Sequence, residues 1–222
     1  MSLFRIGGIP GMIESRDGSW PQAITHVDSY ALDDPATREL ILGARGLIIS
    51  GGADHLLLAK YRDELSNFVR NGSRVLISGH VSIPFIEGLA RWSKLEFRNP
   101  SDVRPQPLAS HPIWHGVDYQ ELEYRTGVPG AHSYQELERI GVAGFYGRGY
   151  HVNLPEGASV ITGIGALALP LDYAYRLGAG EVVVHGGLDL EGVCDEHYSS
   201  KNLGPNLVSW LSAATLLEGA LA

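Results

Sequence analysis

Histidines and carboxylates in this 222-residue chain gather where apolar runs stop. The run Arg74-Val75-Leu76-Ile77-Ser78 gives way to Gly79-His80-Val81-Ser82, and Gly46-Leu47-Ile48-Ile49-Ser50 gives way to Gly51-Gly52-Ala53-Asp54-His55. Glu181-Val182-Val183-Val184 runs into His185-Gly186-Gly187, with Asp189 and Glu191 just beyond. An imidazole near neutral pH can serve as acid, base or metal ligand, and a carboxylate can orient it. Glycine pairs let the backbone approach an anionic or carbonyl group. This makes His80 and His185 the catalytic candidates. Gly51, Gly52, Asp54, His55, Gly79, Ser82, Asp189 and Glu191 are the ligand-binding candidates. Each also has a plainer use: the glycines turn the chain, Asp54 caps a helix, and His55, Asp189 and Glu191 face solvent.

Other chemistry is weakly specified. His111 and His115 are four residues apart, a zinc-ligand spacing on a helix, but Pro112 and Gly116 favour a loop. There is no HExxH or CxxC, and neither GxGxxG nor a P-loop pattern occurs, so no metal or cofactor is expected. Cys194, the only cysteine, could be paired on paper with His197, yet no strand precedes it to present a nucleophile. Trp20, Trp114, Tyr124, Tyr146, Tyr150 and Asn153 are available for sugar stacking and hydrogen bonding, although aromatics are equally ordinary core residues.

The elements that must hold these groups follow from periodicity. Residues 3–9 and 23–29 read as strands, with a long loop over 10–22 between them. Asp34 and Pro35 begin a helix that ends near Gly43. Residues 45–50 and 74–78 are fully apolar strands, joined by one helix through Asn71-Gly72 with Leu58, Tyr61, Leu65 and Phe68 on its inner stripe. A short helix is expected over 83–92. Residues 95–117 read as loop, 120–128 as a strand, and 133–140 as a helix or a strand. Residues 158–165, 168–177 and 180–187 read as strands, the last two in a hairpin through Gly178-Ala179-Gly180. Residues 204–219 form a closing helix with Leu207, Trp210, Leu211, Ala214 and Leu217 inward. Apolar strands alternating with helices imply a three-layer, mostly parallel α/β sheet covered on both faces. Ligands then bind at the carboxyl ends of the strands, near the point where strand order reverses.

A net charge of −8 opposes nucleic acid and anionic lipid. No apolar stretch reaches membrane-span length, and no signal-peptide pattern opens the chain, so a soluble cytoplasmic protein is expected. No linker or internal repeat appears, and residues 1–222 read as a single domain.

The order GLIISGG, helix, GSRVLISGH, HPIWHGV and GAGEVVVHGGLDLEG resembles the class I glutamine amidotransferase-like superfamily, nearest its ThuA-like (trehalose-utilisation) branch. The resemblance spans roughly residues 3 to 215. It implies a flavodoxin-like, doubly wound sheet with a late β-hairpin. An active amidotransferase of this type has a cysteine at the elbow after the strand that here is RVLIS, and a His and a Glu two residues apart after the last core strand. Here the elbow reads Ser78-Gly79-His80-Val81-Ser82, and His185 is followed by Gly187 where the Glu would be. Histidine cannot form the thioester, and neither Ser78 nor Ser82 is guaranteed a base, so glutaminase activity is excluded.

Two functions follow as expectations. One is a binding or assembly domain for a small polar metabolite, a carbohydrate among them. The other is an enzyme with rebuilt chemistry, in which His80 and His185 act with Asp54, Asp189 or Glu191 on a sugar-like substrate, with or without a metal. Since relatives of this type pair, a homo-oligomer is a third, purely structural reading.

Overall fold

In the computed structural model the described residues are 2–7, 24–122, 146–187 and 189–213. Strand β1 (Leu3–Ile6), β3 (Gly46–Ile49) and β4 (Arg74–Ser78) are the apolar runs, buried along nearly their whole length. Strands with no polar face need cover on both sides, and helices supply it. The parallel part of the sheet has the order β2 (Ile24–Val27), β1, β3, β4, β10 (Gly180–His185). This 2-1-3-4-5 succession is the flavodoxin-like order, and the molecule is a three-layer α/β fold. Beyond β10 the sheet continues antiparallel through β9 (Leu169–Leu177), β8 (Ser159–Ile164) and β6 (Pro105–Pro107). A separate antiparallel pair joins β5 (Arg91–Lys94) to β7 (Gly149–Val152).

Alternate residues of the central strands feed two cores. Ile49, Ile77 and Val184 pack with Ile41 of α1 (Pro35–Leu42), Leu58 of α2 (His55–Lys60), and Leu65 and Phe68 of α3 (Arg62–Arg70). On the other face, Ile48, Leu76 and Val183 meet Ile113, Trp114 and the Leu207, Trp210 and Leu211 stripe of α5 (Leu203–Ser212). Asp34 caps α1 through the Thr37 N–H, and Pro35 takes the first helical position. The hairpin turn between β9 and β10 contains Gly178 at φ +61.

The structure departs from expectation in several places, among them β5, β6 and β7, where no strand is expected. The single helix of residues 54–72 is two, broken at Tyr61 (φ −103, ψ 21), where the phenol turns to donate to Asp33 at 2.6 Å and the Arg38 guanidinium lies 4.9 Å from its ring centre. Residues 83–90 are not helical. Pro84 lacks an N–H, Gly88 has φ +83, and side chains satisfy this backbone instead of a helical ladder. The Glu87 N–H donates to Ser66, the Ala90 N–H to the Tyr173 hydroxyl, and the Tyr175 hydroxyl to the Glu87 carbonyl. Residues 120–122, expected to begin a strand, belong to the short helix α4 (Tyr119–Leu122). The loop over 10–22, the segment 133–140, Trp20, Tyr124, Ala214 and Leu217 lie outside the described residues.

Candidate functional site

Strand order reverses between β1 and β3, so the carboxyl ends of those strands frame the crevice in which this fold admits ligands. Here the protein's own groups meet. Arg5 sits inside apolar β1 with 1% exposure, and a buried guanidinium must find an anion. It donates to Asp189 Oδ2 at 2.7 Å and to the Gly7 carbonyl at 2.6 Å. Ser50 Oγ donates to the same Oδ2 at 2.7 Å, and the Gly51 N–H donates to Oδ1 at 2.8 Å. The Gly52 N–H donates to Ser50 Oγ at 3.1 Å. Asp189 thus ties the loop after β10 to the ends of β1 and β3. Glu191 belongs to the adjoining 3-10 turn, Leu190–Gly192.

Asp54 is the cap of α2, accepting from the Leu56 and Leu57 N–H groups and from the Tyr30 hydroxyl at 3.1 Å. These hydrogen bonds, the Leu57 N–H first, hold its carboxyl below the usual carboxylate range. His55 Nδ1 lies 3.1 Å from Ser82 Oγ, so two predicted residues do meet. Burial, opposed by the Asp54 charge, lowers the His55 pKa.

At the elbow after β4, the turn itself is made by Gly79 at φ +93. A Cβ added there would come within 2.5 Å of the Gly51 Cα, so this backbone admits no side chain at the turn. His80 follows the turn, exposed, with its ring stacked on Trp92 at a centroid distance of 3.7 Å. Partial burial, with a smaller contribution from Arg148, lowers its pKa.

His185 ends the neighbouring strand in a different environment, wholly buried. Its Nδ1 is 2.7 Å from Asp172 Oδ1. Asp172 Oδ2 accepts from the Tyr146 hydroxyl at 3.0 Å, which in turn accepts from the Trp114 indole N–H at 2.6 Å. His185 is in register with Ser78 on β4 and Asp172 on β9, so the three share one row across the sheet. Among the described residues, neither Ser78 Oγ nor His185 Nε2 has a partner within hydrogen-bond distance. The orienting carboxylate for His185 is therefore Asp172; Asp54 and Asp189 serve as cap and tie. His185 ends β10 and is sealed, whereas His80 lies two residues beyond the end of the neighbouring β4 and is open.

Among the described residues, a groove of about 1020 Å³ opens at the other end of β4 and β10. Trp114, Trp210, Tyr119, Arg74, Arg176 and Glu181 line it, together with His111, His115 and Asn206. The Trp210 indole donates to Glu181 at 3.1 Å, and Arg74 donates to the Trp210 carbonyl at 2.5 Å. Burial is the main cause that pushes His111 down to about 4; Glu181 opposes it and Arg74 adds to it. Pro112 keeps His111 and His115 on a 3-10 turn rather than on one helical face. Tyr146 belongs to the buried row, and Cys194 is buried while His197 is exposed beside Glu196. No group of three or more metal-ligating side chains occurs among the described residues. No helix among them is long and apolar enough to cross a membrane.

Sequence reasoning missed Arg5, Asp172 and the groove residues Arg74 and Glu181. The signal for the first two was a charge set in an apolar stretch, Arg5 in LFRI and Asp172 in LPLDYAY, which has to be paired when buried.

No protein-family model matches the sequence, and no curated protein does. Among solved structures, the chain is similar to a cytoplasmic protein from Salmonella typhimurium, with a TM-score of 0.58 and 12% identity over 95% of this chain and 99% of that one. A second cytoplasmic protein, from Salmonella typhimurium LT2, has a TM-score of 0.56 and 11% identity over 94% of this chain and 99% of that one. At such identities the likeness concerns the fold.

Proposed function

We propose that this chain is a ThuA-like binding protein of the cytoplasm, without glutaminase activity, whose ligand is a small polar metabolite of carbohydrate type. The groove of about 1020 Å³ carries this reading. It is of ligand-site size, and it sets the half-buried Tyr119 ring, with the largely buried Trp114 and Trp210, beside a carboxylate, guanidinium groups and an amide. Sugars use both kinds of contact, stacking their C–H faces on rings and pairing hydroxyls with polar side chains. The elbow supports the negative half, because the position of the amidotransferase cysteine is taken by His80, which cannot form a thioester. The cytoplasmic assignment draws on the description of the two similar Salmonella proteins.

The test is a titration with mono- and disaccharides, sugar acids and polyols, followed by tryptophan fluorescence and Tm. Tyr119→Ala and Asn206→Ala should weaken any response while leaving the fold intact. A panel that shifts neither signal, or glutamine hydrolysis that survives purification, would sink the proposal.

The His185–Asp172 pair favours a second reading, histidine–carboxylate chemistry on a sugar-like substrate. An imidazole oriented by a carboxylate and with an unpartnered Nε2 has the orientation a general base needs, and because His185 is wholly buried this reading also requires the loop after β10 to open to substrate. Hydrolysis of glycosides or sugar esters that is lost in His185→Gln and retained in His80→Ala would support it. Hydrolysis equal in both variants would remove it.

A further inference from the structure

We propose that Arg5, Ser50 and the Gly51 N–H form a carboxylate-binding site that the chain fills with its own Asp189. The site is built rather than incidental. Its cation is 1% exposed inside an apolar strand, where a guanidinium has to be paired, and Asp189 is one of its partners. Its donors come from the ends of two strands and its acceptor from the loop after a third, so residues 184 positions apart close on each other. It lies at the strand-order reversal, where this fold takes ligands. Bonding is divided between two oxygens: Oδ2 receives Arg5 and Ser50, while Oδ1 receives Gly51. Two coplanar acceptor oxygens about 2.2 Å apart suit a monocarboxylate better than a tetrahedral phosphate or sulfate.

In the intact chain the tethered carboxylate outcompetes a free one, since a short tether supplies a high effective concentration. Shortening residue 189 removes the tethered anion from Arg5 Nη2, Ser50 Oγ and the Gly51 N–H, and opens the place of that carboxylate to a small free one. The site is remote from the groove proposed above, at the opposite end of β4 and β10, and stands independently of it.

The experiment compares Asp189→Ala, Asp189→Asn and the unaltered chain in formate, acetate, phosphate and chloride at equal ionic strength. Asp189→Ala should lower Tm by about 6–15 °C, as loss of a buried ion pair does in a chain of this size. Formate at about 100 mM should return about 3–6 °C of this relative to chloride, the effect of a site with Kd near 10 mM. Phosphate should return less than formate. Asp189→Asn fills the cradle with its amide and should show no formate effect. Leu207→Ala, a core truncation elsewhere, reports any general action of formate on stability. Should Asp189→Ala fail to fold in chloride, its refolded yield in formate gives the same reading. Recovery confined to Asp189→Ala and selective for formate and acetate establishes the site. Recovery shared by Leu207→Ala, larger in phosphate, or absent altogether overturns it.

Discussion

His151 should make this protein lose stability in acid by an amount the structure sets. It lies on β7, 2% exposed, edge-on to Tyr173 at 5.0 Å, and neither ring nitrogen has a partner in good hydrogen-bond geometry. Burial pushes its pKa from 6.5 down to about 4; the His185 ring adds slightly, while Asp172 and the Leu171 and Pro170 carbonyls pull the other way. Because the folded pKa lies below the unfolded one, the unfolded chain binds the extra proton between pH 6.5 and about 4. The stability tied to a neutral His151 is thus whole above pH 6.5 and is lost as pH falls toward 4. The loss amounts to about 3 kcal/mol, with a slope of at most about 1.4 kcal/mol per pH unit. His151→Leu keeps much of the volume and cannot titrate. At neutral pH it should equal or exceed the parent, since it removes two unpaired polar atoms. By pH 4 it should be ahead by about 3 kcal/mol more. Urea unfolding at fixed ionic strength, at half-unit steps from pH 7 to 4, measures the difference. Parallel stability curves would refute the reasoning, and so would a gap that widens above pH 6.5. His111, also pushed down to about 4, contributes in both chains and cancels.

Two further outcomes follow from contacts already described. Gly79→Cys should cost about 2–5 kcal/mol in urea unfolding, a figure that combines a positive φ with a Cβ driven against the Gly51 backbone. A cost below about 1 kcal/mol would show that the turn tolerates a side chain. Tyr146→Phe strands the Trp114 indole N–H and Asp172 Oδ2 together, and should cost about 2–4 kcal/mol; a change below about 1 kcal/mol would show that the buried row is not closed by hydrogen bonds.

How far the sequence could be read depended on where the determining contact lay. The parallel core was legible because Leu47–Ile49 and Val75–Ile77 can be satisfied only between two covering layers, and α1 was legible because its cap is local in sequence. Residues 83–90 misled because the partners of their backbone, Ser66, Tyr173 and Tyr175, are distant along the chain. The loops at the strand ends were located correctly, and His55 with Ser82 and Gly51 with Asp189 do meet there. What those residues do was not legible. Asp189 faces Arg5 across 184 positions, and His185 takes its carboxylate from the hairpin strand beside it. The groove went unseen because it lies at the amino ends of β4 and β10, where the strand-end rule does not look.

Strand β6 closes one border of the sheet with the sequence Pro105-Gln106-Pro107. The Arg104 carbonyl and the Leu108 N–H both bond inward toward β8, which fixes Gln106 as inward-facing and leaves positions 105 and 107 facing away. Both outward positions are proline, so along this border the main chain has no N–H to offer an incoming strand. Fibre-like growth on this side is thereby disfavoured, because only the Pro105 and Pro107 carbonyls remain to pair with another main chain.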